Sequence, residues 1–130
     1  CVGVGAASVR EIDRRNILRA TTVAMQRALG RLRIKPDHVV VDGLPVKHLG
    51  REHDAVVDGD AIVHSIACAS IVAKVIRDRL MHRLAVRYPG YAWDKNVGYG
   101  TPEHLAAIDR LGVTPHHRLT FTGLQFELEI

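Results

Sequence analysis

Two cysteines, four lysines, six aromatic rings and no long apolar run: the scarcities of this 130-residue chain exclude several classes of protein before any motif is read. Cys1 and Cys68 form neither a zinc-binding spacing nor a disulfide framework, which favours a reducing compartment. No stretch approaches the ~18 consecutive apolar residues of a membrane-spanning helix. The opening CVGVGAASVREIDRR lacks the layout of a signal peptide. The expected setting is soluble and cytoplasmic, with no membrane partner. Acidic residues are also in deficit, 14 Asp+Glu against 18 Lys+Arg, and the only lysines are Lys35, Lys47, Lys74 and Lys95. Guanidinium pairs bidentately with phosphate oxygens, so an arginine-rich surface suits a phosphate-bearing partner about as well as it suits plain solvent.

A hydrophobic content of 47% supports one domain with a real core and is thin for two. CVGVG, residues 1–5, alternates as a short strand does and reads as the middle of a sheet, so strands are expected to be missing ahead of it. Ser8 and Glu11 make a capping box. Ile12, Ile17, Leu18, Thr21, Ala24, Met25, Ala28 and Leu29 then recur at helical spacing and predict an amphipathic helix over roughly 9–29, with Asn16 as the place for a break and Gly30 as the stop. HVVV, from residue 38, is too short for a helix and reads as a buried parallel strand. LPVKHLGREH reads as a loop, and AVVDGD, residues 55–60, as a second strand.

Residues 65–87 predict a long helix whose first half, SIACASIVAKVI, is apolar nearly all round and is expected to be buried. Its second half turns Arg77, Arg79, Arg83 and Arg87 outward. YPGYAWDKNVGYGT is too rich in glycine and aromatic residues for regular structure. A last helix runs from the Thr101 cap and Pro102 to Gly112, Thr114 and Pro115 start one more turn, and the tail from Phe121 is unassigned. The order is that of an α/β fold. The expected organisation is a partial α/β core over 1–88, with the aromatic loop and short helices of 89–130 packing on the same domain.

Both valine runs stop on an aspartate beside a glycine. In α/β folds the polar residues just past the C-terminal ends of strands face the crevice where ligands bind. Asp42 and the Asp58/Asp60 pair sit at such ends, and neighbouring parallel strands lie ~5 Å apart. Asp42 and one of the other two are therefore candidates to share a divalent cation, Mg²⁺ or Mn²⁺ for an all-oxygen set. The plain alternative, an Asp-Gly turn after each strand, stays open. Ser70 and Lys74 stand one helical turn apart, but their spacing is one residue longer than a nucleophilic Ser-x-x-Lys, and a lysine reaching out towards an anion is the better reading. The eight histidines look scattered, and the adjacent His116 and His117 diverge. Tyr88, Tyr91, Trp93 and Tyr99 crowd twelve positions, with Lys95 among them and Arg87 just ahead, a mixture that contacts sugars or bases when it does not simply pack on itself.

Five stretches taken in order, EIDRRNILRATTVAMQRAL, VVVDG, VVDGD with SIACASIVAKVIRDRLM, RYPGYAWDKNVGYGTPEHLAAI and GVTPHHRLTF, resemble the type 2 ribonuclease H family, most nearly its bacterial ribonuclease HII members. The resemblance covers residue 3 to about 122 and implies a ribonuclease H-like mixed sheet flanked by helices, with a C-terminal helical segment. It implies an endoribonuclease that cleaves the RNA strand, or a single embedded ribonucleotide, in an RNA/DNA hybrid or a DNA duplex, using two Mg²⁺ or Mn²⁺ ions held by four acidic residues. By this resemblance Asp42 and Asp60 are catalytic metal ligands. Tyr99 matches the tyrosine beside the ribonucleotide, and Lys74 and Arg77 lie in the matching helix as substrate-binding residues.

Two positions depart from the pattern: Asp58 and Val97 stand where relatives usually have lysine. The family's opening Asp-Glu-x-Gly-Arg-Gly strand, which supplies two further carboxylates, and its Asp-Ser-Lys-Lys segment have no counterpart in the sequence. The expectation is therefore the C-terminal two thirds of such an enzyme, with no obligate protein partner for the parent and no hydrolysis by the fragment alone. A non-catalytic nucleic-acid-binding remnant is the alternative.

Overall fold

The computed structural model describes residues 1–120. Ser8 Oγ accepts the N–H of Glu11, and Glu11 Oε2 accepts the N–H of Ser8 at 2.9 Å, so the capping box closes and helix α1 spans Val9–Arg15. Asn16 breaks the helix at φ 69°, and its Oδ1 accepts the Arg19 N–H to cap α2, Ile17–Gly30. The two helices are locked by a bidentate pair, Arg27 Nη2 to Glu11 Oε1 at 2.6 Å and Nη1 to Oε2 at 3.0 Å. The Arg27 guanidinium, with help from Ser8, holds the Glu11 carboxyl at about 2.

CVGVG is not a strand. It lies against α2, where a Cβ on Gly3 would overlap the carbonyl oxygen of Ala28 and one on Gly5 that of Ala24. The alternation therefore records a close backbone approach to a helix and not a pleat. Arg27 and Arg31 pin this segment through the carbonyls of Ala6 and Val4, at 2.7 and 2.6 Å.

The short valine runs form a two-stranded parallel sheet, β1 (Val40–Asp42) and β2 (Asp54–Val56), with Asp42 opposite Val56. The second strand is shorter than AVVDGD suggested, because the chain turns at Asp58 (φ 56°) into a one-turn helix, α3 (Gly59–Ile62). The loop between the strands is fixed by His53, whose Nε2 accepts the Val46 N–H at 3.0 Å while Nδ1 faces the Arg51 carbonyl at 2.8 Å. Among the described residues, this sheet and its flanking helices make an α/β arrangement.

Helix α4, His64–Arg87, matches the reading in extent but not in burial. Ile66 is the one buried residue of α4, whereas Ile71 and Leu80 are 63% and 53% exposed and Val75 and Ile76 are also open. An all-round apolar helix needs cover on several sides, and three-residue strands shield only one of them. The arginines of its second half point outward as expected.

The aromatic loop contains a further turn of helix, α5 (Trp93–Asn96), which the composition had hidden. Thr101 caps α6, Pro102–Leu111, with Pro102 in the first turn and Gly112 at the end. Thr114 begins a turn closed by the His117 N–H, but no helix follows it among the described residues. The expectations for Phe121 and the tail lie outside the described residues. Tyr91, Trp93, Ala107 and Ile108 form the core between α4, α5 and α6, backed by Met81, Leu84, Ala85 and Tyr88. No helix among the described residues is long and apolar enough to cross a membrane.

Candidate functional site

Asp42 ends β1 with an exposed carboxylate whose Oδ1 accepts the Gly59 N–H at 2.8 Å. Gly59 opens α3 and is buried; a Cβ there would stand 2.7 Å from Ile66 Cδ1 and 3.2 Å from Asp42 Oδ1. The two Asp-Gly pairs thus use glycine for different reasons. Gly43, at φ +88° with open space around it, lets the chain turn away after Asp42, while Gly59 lets a backbone N–H reach the carboxylate. Asp60 follows immediately and is exposed. Asp58, also exposed, adopts the left-handed conformation ahead of α3 without a side-chain capping bond.

A second group gathers midway along α4. Lys74 Nζ donates to Asp78 Oδ2, not to Ser70, which is exposed. The Arg77 guanidinium lies over the Tyr99 ring at 4.9 Å, with Nη1 3.9 Å from Asp78 Oδ1. Tyr99 is 64% exposed, yet its backbone is fixed: its N–H donates to the Asn96 carbonyl at 2.8 Å and its own carbonyl accepts the Thr101 N–H at 2.9 Å. Asn96 is buried, donating to the Tyr91 carbonyl and accepting the Gly98 N–H. Val97 sits at φ 42°, a strained conformation for a β-branched residue.

The structure therefore brings Arg77 to Tyr99 and Lys74 to Asp78, and sets Asp60 one residue beyond the N–H that Asp42 holds. No hydrogen bond or ion pair joins these two groups among the described residues, and no cluster of three or more His, Cys, Asp or Glu side chains is present there. Asp78 and Asn96 escaped the sequence reading. The Lys74/Asp78 spacing of one turn was the available signal for the first; a lone amide among rings and glycines was a weak one for the second.

The histidines are less scattered than they looked. His104 and His117 stack at 5.2 Å against Tyr91 and Trp93. His117 Nδ1 accepts the Thr114 N–H at 2.9 Å, and its buried Nε2 has no hydrogen-bond partner. Burial, and then the neighbouring His104, push His117 down to about 4.

Residues 3–125 match the sequence model for ribonuclease HII. This chain belongs to the ribonuclease HII family. A ribonuclease HII of Rhodospirillum rubrum is 58% identical over 124 residues, covering 95% of this chain and 57% of that protein. One from Thermosynechococcus vestitus is 57% identical over 122 residues, covering 92% and 56%, and one from Gluconobacter oxydans 51% over 128, covering 98% and 62%. The chain thus spans a little over half the length of these ribonuclease HII relatives.

Proposed function

We propose that this chain carries part of the machinery of an endoribonuclease that cleaves the RNA strand, or a single embedded ribonucleotide, in RNA/DNA hybrids or DNA duplexes by two-metal-ion hydrolysis in the cytoplasm. The observation that carries the proposal is the Asp42 carboxylate at the end of a parallel strand, bonded to the N–H of the residue before Asp60. Membership of the ribonuclease HII family supports it.

Asp42 and Asp60 are exposed, hard oxygen donors of the kind Mg²⁺ and Mn²⁺ take. Two carboxylates fit as part of a donor set for two ions, with further ligands from outside the described residues. Bound divalent cations supply Lewis acidity and a lowered pKa for the attacking water. The Gly59 N–H fixes the orientation of Asp42, and Asp60 adds the second charge. Tyr99, steadied by Arg77, packs beside the ribonucleotide, where the 2′-hydroxyl distinguishes RNA from DNA. Arg77 faces the phosphates, and Lys74 contributes through its pair with Asp78.

A chimera tests this reading: residues 3–125 of this chain exchanged for the stretch they match in the Rhodospirillum rubrum ribonuclease HII. With Mn²⁺ it is expected to nick a duplex on the 5′ side of a single ribonucleotide, and Asp42→Asn to abolish the nick. The 130-residue chain alone is expected to give none. A chimera that never nicks, or one that nicks equally well as Asp42→Asn, overturns the proposal. Salt-sensitive duplex binding without any nick from the chimera would favour the non-catalytic remnant.

A further inference from the structure

A groove of about 330 Å³ runs between one face of α2 and the loop that leaves β1. Arg15, at the end of α1, and Arg19, Thr22 and Gln26, spaced one turn apart along α2, form one wall; Lys47 and His48 form the other. Among the described residues no carboxylate lines it.

The arginines of these helices divide by face. Arg27 and Arg31 are consumed structurally, by Glu11 and by the carbonyls of Ala6 and Val4. Arg15, Arg19 and Lys47 make no ion pair among the described residues and are exposed. Cations gathered on a concave wall without counter-charges repel one another, and their field focuses on an incoming anion. The second wall is held in place: Gln26 Nε2 donates to the His48 carbonyl at 2.7 Å, which fixes His48 in a left-handed conformation at φ 65°. Leu49, 4% exposed, anchors the same loop.

The groove's position gives it a partner. Lys47 follows Asp42 by five residues, so the chain places its Cα at most ~18 Å from the Cα of Asp42. That distance covers about five nucleotides of one strand at 3.4 Å each.

We propose that the Arg15/Arg19/Lys47 groove is a second nucleic-acid contact, gripping backbone phosphates of the duplex a few nucleotides from the site at Asp42. The identity of the partner rests on the nuclease reading; the groove's geometry does not. Phosphate contacts of this kind hold a duplex in register without reading its sequence.

The test is fluorescence anisotropy of the 130-residue chain with an RNA/DNA hybrid across a salt series, comparing the unaltered protein with Arg19→Gln/Lys47→Gln and with the charge-keeping Arg19→Lys/Lys47→Arg. Each lost phosphate contact lowers the slope of log K against log salt by about 0.9, so the first variant is expected to lose about 1.8 of slope and the second to keep it. Both variants alter exposed side chains, and unchanged circular dichroism confirms the fold. Binding whose slope is the same in all three proteins overturns the groove and leaves the nuclease reading standing. No binding of any duplex by the unaltered chain overturns the groove and leaves the nuclease reading to the chimera. A lowered slope beside a chimera that never nicks keeps the groove and removes the nuclease. Inorganic triphosphate bound as tightly as the hybrid, and lost in the Gln variant, would assign the groove to a free polyphosphate and overturn the duplex contact.

Discussion

At Gly59 a single added methyl group would meet two things at once, the Ile66 side chain at 2.7 Å and the Asp42 carboxylate at 3.2 Å. Gly59→Ala is therefore expected to destabilise by about 1–3 kcal/mol through overpacking. Ile66→Val in the same chain should return part of that loss, which a urea double-mutant cycle measures; simple additivity would contradict the contact. Gly43→Ala should cost about 1–2 kcal/mol for a different reason, its φ of +88° with open space around it, and no trimming of a neighbour should rescue it. Asn96→Ala removes both buried side-chain bonds, to the Tyr91 carbonyl and from the Gly98 N–H, and is expected to cost about 2–3 kcal/mol. At this scale the sequence marked Asp42 and the Asp58/Asp60 pair as candidates, because a valine run ending on a carboxylate is conspicuous, and only the family resemblance singled out Asp60. It concealed Asp78 and Asn96, whose partners lie in side-chain geometry that spacing only hints at.

Among the elements, α6 and the turn after it are joined by the stacked rings of His104 and His117 over Tyr91 and Trp93. His117 is held neutral, well below its ordinary value of 6.5, so the folded chain binds fewer protons than the unfolded one as pH falls. The stability it contributes is fully present above about pH 6.5 and is lost progressively towards about pH 4, an effect of roughly 3 kcal/mol. Glu11 and Asp13 belong to a lower window. The Glu11 carboxyl is depressed by Arg27; at Asp13, burial pushes upward but the bonds from Thr120 and Leu119 outweigh it. Urea midpoints between pH 7 and 4.5 should therefore fall in the unaltered chain and stay flatter in His117→Gln; parallel curves would contradict the assignment. Trp93, 2% exposed, fills the centre of this cluster, and Trp93→Ala should cost about 3–5 kcal/mol.

Helices α1, α2 and α6 were legible because their caps are local: Ser8 with Glu11, Asn16, and Thr101 with Pro102 each act within one turn. CVGVG and the burial of α4 were not, since both depend on what lies against the segment. Period-two glycine looks the same whether it answers a sheet or a helix.

For the whole molecule, the open faces of α4 are the dominant fact. Ile71, Val75, Ile76 and Leu80 leave apolar surface in water that a folded chain rarely tolerates in one place. The 130-residue chain is expected to associate as its concentration rises through the micromolar range, read by sedimentation velocity, and a monomer throughout would contradict that. The claim on which the functional account turns is narrower: the carboxylates of Asp42 and Asp60 serve one cation site. Substoichiometric Mn²⁺ added to the ¹⁵N-labelled chain measures this directly through paramagnetic broadening of amide signals. The signals of Asp42, Gly43, Gly59 and Asp60 should fade first, and Asp42→Asn or Asp60→Asn should restore them. Broadening centred elsewhere, or unchanged in both variants, would contradict the account.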